Sequence, residues 1–150
     1  MNVNYFMNEA LLEAKKGLSY NEIPVGAILV DNDTQEVISR HYNQMNTFNN
    51  AIKHCEINLI FDACEKLKKK YLDNTSLFVT LEPCCMCASA ISQVHIESIY
   101  FGAYDEKNGG IEKNKLFSNK KNTFKTEIYG GIMENDCKNL LENFFIQFRK

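Results

Sequence analysis

Ser76 to Leu81 is a short apolar run that gives way directly to Glu82-Pro83-Cys84-Cys85-Met86-Cys87. The run reads as a strand. Pro83 reads as the first residue of a helix, where its missing N–H and fixed φ cost nothing. Cys87, Ala88, Ile91 and Val94 then recur at the spacing of a buried helix side, and Ser98 to Gly102 reads as the next strand. A strand–helix–strand succession needs a sheet to cross, so the remaining segments must supply more strands and the helices that cover them.

Both flanks meet that demand. Val3, Phe6, Met7, Ala10, Leu11 and Ala14 share one helical face, with Gly17 as a stop signal. Pro24 to Val30 is almost continuously apolar and is bounded by Asp31-Asn32-Asp33-Thr34, after which Glu36 to Tyr42 reads as a second strand. This predicts a hairpin whose first strand is buried on both faces. Asn43 to Lys53 is an asparagine-rich loop. A helix starts at His54, with Ile57, Ile60, Cys64, Leu67 and Tyr71 on one face, and Lys66, Lys68, Lys69 and Lys70 close it as a charge-matched end. In Ala103 to Lys125, Lys107, Lys113, Lys115, Lys120, Lys121 and Lys125 outnumber Asp105, Glu106 and Glu112. A stretch of that length without periodicity is functional or disordered. Thr126 to Tyr129 reads as one more short strand, broken by Gly130-Gly131. Cys137, Leu140, Leu141, Phe144, Phe145 and Phe148 then form a helical stripe with Asn135 or Asp136 as its cap. Strands alternating with helices in this order predict parallel pairing with right-handed crossovers.

A chain of 150 residues, 45% hydrophobic, is expected to form a single domain over 1–150. No apolar run approaches the length of about 18 residues that a membrane span needs. Met1 to Tyr5 does not open a secretory signal. Six cysteines without such a signal point to reduced thiols, metal binding and the cytoplasm. The net charge of −2 weighs against a nucleic-acid partner unless a local patch supplies the contact.

The chemistry gathers on two helix starts. Cys84 and Cys87 stand one helical turn apart and face the same way. A helix N-terminus favours thiolate over thiol. His54 opens the preceding helix, and helices that follow neighbouring strands bring their N-termini to the sheet edge where ligands bind. Two thiolates and an imidazole suit zinc, and three protein ligands leave one position for water. Glu56, two residues beyond His54, is then free to move protons. Cys84 and Cys87 alone also fit a redox dithiol. A structural zinc on His54, Cys84, Cys85 and Cys87 is a further alternative, although adjacent cysteines rarely reach one ion together. Cys55, Cys64, Cys85 and Cys137 read as small buried apolar residues, and His41 and His95 as structural groups.

With these residues the sequence resembles the cytidine-deaminase superfamily, and more narrowly its bacterial tRNA-adenosine deaminase branch. The resemblance rests on Ile23-Pro24-Val25-Gly26-Ala27, on Asn43, on Thr80-Leu81-Glu82-Pro83-Cys84-Cys85-Met86-Cys87-Ala88, and on Phe101-Gly102-Ala103 with Asp105 and Lys107. Leu140-Leu141 and Phe144-Phe145 extend it to the C-terminal helix. Cys55 stands where the family has alanine, Asn50-Ala51-Ile52-Lys53 replaces Asp-Pro-Thr-Ala, and the residues up to Lys150 include no long basic tail. The resemblance implies a three-layer α/β/α fold, with a mixed sheet of about five strands and helices on both faces. It implies one zinc per subunit on His54, Cys84 and Cys87, with Glu56 as proton shuttle. Asn43, Asp105, Lys107 and Phe145 become substrate contacts, and the lysines of 107–125 with Arg149 and Lys150 become phosphate contacts. Phe148 would line the path beside Phe145. The implied reaction is hydrolysis of adenosine to inosine at the wobble position of a tRNA anticodon stem-loop, by a cytoplasmic homodimer. A free-base or nucleoside deaminase acting on guanine, cytosine or cytidine would carry the same zinc site. A zinc-stabilised RNA-binding module without catalysis would have no use for Glu56.

Overall fold

The computed structural model describes residues 1–118 and 123–148. Lys120, Lys121, Arg149 and Lys150 lie outside the described residues, and the ring of Phe148 outside the described side chains. In chain order the elements are α1 (Val3–Leu18), β1 (Gly26–Asp31), β2 (Val37–Tyr42), α2 (Cys55–Leu67), β3 (Thr75–Leu81), α3 (Cys85–Gln93), β4 (Ser98–Ala103), a 3-10 turn (Leu116–Ser118), β5 (Glu127–Tyr129) and α4 (Glu134–Phe148).

One five-stranded sheet, ordered β2-β1-β3-β4-β5, forms the middle layer. Strand residues alternate between its faces, as the period of two requires. Ile28, Val30 and Phe78 meet Phe6, Met7, Ala10 and Leu11 of α1 and Cys137 of α4. Ala27, Leu29, Leu77 and Val79 meet Leu59 and Ala63 of α2 and Ala88 and Ile91 of α3. The three layers and the mixed sheet are those the resemblance implied.

The parallel pairing expected across the helical crossovers is present, and the hairpin makes the sheet mixed. β3 pairs β4, and β4 pairs β5, in parallel, but β1 pairs β3 antiparallel. The hairpin is the reason. β2, antiparallel to β1, is the strand that leads into α2. The α2 crossover therefore joins two strands of the same direction, β2 and β3, with β1 lodged between them.

Three local expectations also shift. The buried side of α2 is Cys55, Leu59 and Ala63 with Glu56, Asn58 and Ile60, whereas Leu67 and Tyr71 are exposed. The stripe is rotated because polar residues of the first turn are turned inward toward the site. Lys68, at φ 54°, closes α2 in the left-handed conformation, so Lys69 and Lys70 follow the helix and do not neutralise its last turn. α4 starts at Glu134, which places Asn135 and Asp136 inside its first turn and not at its cap. His41 and His95 are structural as expected. His41 Nε2 lies 3.1 Å from Asp62 Oδ2, which also accepts the Ser39 hydroxyl at 2.6 Å. His95 stacks between Tyr71 and Phe124 at 4.4 and 4.5 Å.

α1 lies close against β1 because Gly26 has no side chain. A Cβ there would stand 2.3 Å from Ala10 O and from Ala14 N, both helix backbone. Gly26→Ala must therefore push α1 off the sheet, and is expected to cost at least the ~1–3 kcal/mol of an overpacked core. A lowered urea midpoint with unchanged slope would register the loss. This close packing also places the start of β1 beside the end of β3, where the Thr80 hydroxyl accepts Gly26 N–H at 3.1 Å.

Candidate metal centre and substrate groove

At that end of the sheet two helices begin side by side. His54 is the N-cap of α2 and Cys84 the N-cap of α3, both in extended conformation and neither spending its side chain on the cap. Pro83 stands ahead of the helix and not at its first turn as expected. Cys84 thus lies in the turn and Cys87 on the first helical turn, with both sulfurs on one side.

His54, Cys84 and Cys87 form a donor cluster whose ligand atoms lie within 4.8 Å of one another. His54 Nδ1 is 3.7 Å from Cys84 Sγ and 3.5 Å from Cys87 Sγ. Tetrahedral zinc, with bonds of about 2.3 Å to sulfur and about 2.0 Å to nitrogen, would need N···S separations of about 3.6 Å. Both N···S separations match those values. The cluster's electrostatics fit as well. The Cys87 thiol donating to it, then the His54 imidazole acting against burial, holds the Cys84 thiol down at about 4. The same contact with Cys84, and then burial, pushes Cys87 well up. The Cys84 contact raises His54. Cys84 carries the negative charge while Cys87 and His54 keep their protons, and a divalent cation among the three would take the place of those protons.

Cys85 does not join the cluster. It is exposed, which removes the four-ligand structural-zinc alternative and corrects its expected burial. Cys55 and Cys137 are buried, and Cys64 is half-buried. Glu56 is only 4% exposed, and its carboxylate is not among the clustered donors. Burial pushes its carboxyl up from the ordinary carboxylate value, against the Cys55 thiol donating to Oε1 at 3.1 Å. A carboxylate raised in this way takes and returns a proton more readily than a solvated one.

The cluster opens into a groove of about 1300 Å³. His54, Glu56 and Cys84 line it together with Val25 and Asn43, with Tyr104 to Asn108, and with Glu134, Lys138, Leu141, Glu142 and Phe145 of α4. All four expected substrate contacts line it, with qualifications. Asn43 Oδ1 is already engaged, accepting Cys55 N–H at 2.9 Å at the start of α2. Asp105 Oδ1 accepts Lys107 N–H and Asn108 N–H at 3.1 and 3.0 Å, so this carboxylate shapes its own turn. Phe145 is 44% exposed at the outer wall. Among the described lysines of the 103–125 stretch, Lys107 is the one that lines the groove. That wall is mixed in charge and not basic throughout. The hold of Glu22 and Glu82 on the surrounding loops escaped the sequence reading, because nothing local marks a buried acid as a loop anchor.

Residues 1–103 match the family model of the cytidine and deoxycytidylate deaminase zinc-binding region. This is the class that the three donors and the free carboxylate describe. A tRNA-specific adenosine deaminase of Rickettsia bellii (strain RML369-C) is 42% identical over 144 residues, covering 95% of this chain and 99% of that one. A structure from work on A-to-I editing by tRNA:A34 deaminases at the wobble position of transfer RNA superposes with a TM-score of 0.86 at 38% identity, over 91% of this chain and 99% of that one. The guanine deaminase of Bacillus subtilis superposes less fully, with a TM-score of 0.64 at 30% identity over 69% of this chain and 66% of that one. The chain belongs to the tRNA-specific adenosine deaminases, within the zinc-binding cytidine and deoxycytidylate deaminase family. No helix among the described residues is long and apolar enough to cross a membrane.

Proposed function

We infer that this protein hydrolyses adenosine to inosine at the wobble position of a tRNA anticodon loop. The observation that carries the reading is the size of the groove. At about 1300 Å³ it exceeds the ~300–1,000 Å³ typical of small-molecule sites, and its lining extends beyond the donor cluster over the 104–108 loop and α4. A lone base would leave those walls empty, whereas a strand with one splayed base reaches them. A single-stranded loop also offers its bases without a duplex to open.

His54 Nδ1, Cys84 Sγ and Cys87 Sγ would hold the zinc. When bound, zinc supplies the Lewis acidity that makes water a nucleophile near neutral pH. Glu56, buried beside the ligands, takes the proton of the attacking water and delivers it to N1 of adenine. The new C–O bond forms at C6. Glu56 then takes the proton of the new C6 hydroxyl and passes it to the departing amine, the C–N bond breaks, and ammonia and the 6-oxo base of inosine result. Val25 and Asn43 flank the base, and Asp105, Lys107 and Phe145 stand where neighbouring nucleotides pass.

Incubation with an anticodon stem-loop bearing A34, and separately with guanine, cytosine and cytidine, tests the reading by mass detection of the product. Inosine in the stem-loop sample alone is expected; turnover of a free base or nucleoside alone would replace this reading with the rival. The assembly we propose is a homodimer in the cytoplasm. Phe61 on α2 is 73% exposed and Met86 on α3 36%, apolar side chains on the two helices that carry the site. Light scattering is expected to give twice the chain mass.

A further inference from the structure

Two buried carboxylates take no part in the proton chemistry. Glu82 is 3% exposed and Glu22 is 0% exposed. Among the described residues neither is ion-paired. A buried carboxylate is costly unless hydrogen bonds satisfy it, and here a loop supplies them in each case. Glu82 Oε1 accepts Asp105 N–H at 3.1 Å, and its Oε2 accepts Ile111 N–H at 3.1 Å and Glu112 N–H at 2.8 Å. Glu22 Oε1 accepts Asn46 N–H at 3.1 Å, and its Oε2 accepts Thr47 N–H and the Thr47 hydroxyl, both at 2.6 Å.

Both loops line the groove. One carries Asn43 and Met45, the other Tyr104 to Asn108. Each carboxylate is rooted on the rigid frame, Glu22 between α1 and β1, and Glu82 between β3 and Cys84. The Glu82 loop is further locked to the metal segment. Gly110 N–H donates to Pro83 O at 2.8 Å, Gly109 bridges Cys84, and a Cβ on Gly110 would stand 2.8 Å from Cys84 C and Cys85 N.

We propose that Glu82 and Glu22 are positioning residues that hold the two groove walls in the shape the RNA meets, with Glu82 fastening the 105–112 loop to the segment that carries Cys84. This rests on the RNA reading above. Each glutamate presents two acceptor oxygens to a set of donors. Glutamine keeps the size but turns one acceptor into an NH₂ that faces a donor. A misplaced wall weakens binding of RNA more than it disturbs chemistry at the donor cluster.

The test compares Glu82→Gln and Glu22→Gln with wild type for zinc content, kcat and KM on the A34 stem-loop, and amide hydrogen exchange. For both variants we expect one zinc per chain, kcat within about threefold and KM raised about tenfold or more, the effect of leaving a buried donor unsatisfied. Exchange should quicken at Ile111 and Glu112 in the first variant and at Asn46 and Thr47 in the second. Should one variant yield no folded, zinc-loaded protein, the other is read in the same way. A KM within about twofold of wild type, or zinc and kcat falling together at unchanged KM, overturns the proposal. If wild type fails to turn over the stem-loop, the RNA reading fails, and the exchange pattern still judges the loop clamps without any substrate.

Discussion

Glu56→Ala is expected to retain one zinc per chain and lose turnover by about 10²–10⁴-fold, the contribution of a positioned general acid–base. Two observations set the direction. The Glu56 carboxylate is absent from the donor cluster of His54, Cys84 and Cys87, so its removal leaves every metal contact in place. It is also buried beside that cluster with a raised carboxyl, where a proton carrier is needed and bulk water is a poor substitute. Folding should suffer little, because the donor left behind is the Cys55 thiol, a weak one. Metal analysis and single-turnover kinetics on the same preparation check the outcome. If zinc content fell in step with activity, Glu56 would be a ligand and the proton scheme would be wrong.

Cys84→Ser is expected to do the opposite and lose zinc and turnover together, with activity falling at least as far as in Glu56→Ala. Serine offers a neutral hydroxyl where the native thiol is held down at about 4 by the Cys87 contact, then by His54 against burial. Zinc prefers the thiolate. The variant should melt where chelator-treated wild type melts, since metal binding and folding stability are linked. Cys85→Ser is the contrast. Cys85 is exposed and outside the cluster, so its substitution should leave zinc content unchanged. Loss of zinc from Cys85→Ser with retention in Cys84→Ser would reverse the ligand assignment. The two predictions together separate the role of holding metal from that of moving protons.

The ligands were legible because the chemistry is written in residue types at short range. Cys84 and Cys87 need only one helical turn to meet, and His54 and Glu56 need only to open a helix. Element positions were legible for the same reason. The limits of β3 and β4 follow from apolar runs and α1 from a face repeated every turn, although the helix continues through Gly17 to Leu18. The weaker expectations concerned orientation. The side of α2 that faces the core was misjudged because Glu56 and Asn58, polar by composition, are buried by the site they serve. The function of the 103–125 stretch was half legible. Its length marked it as functional or disordered and its lysines as phosphate contacts, but of its described lysines Lys107 alone lines the groove.

By itself, then, the sequence marked His54, Cys84 and Cys87 as candidate zinc ligands, Glu56 as a spare carboxylate, and five strands, because each depends on local spacing. Only the tertiary structure decided that β1 runs antiparallel between β2 and β3, since the choice lies in which hairpin strand leads the crossover. It also decided the shape of the groove. The bonds that set it join Glu82 to Ile111 and Glu22 to Thr47, 29 and 25 residues apart. No periodicity spans such separations. A buried carboxylate recruits whatever backbone amides the fold brings within reach, and the fold alone determines which those are.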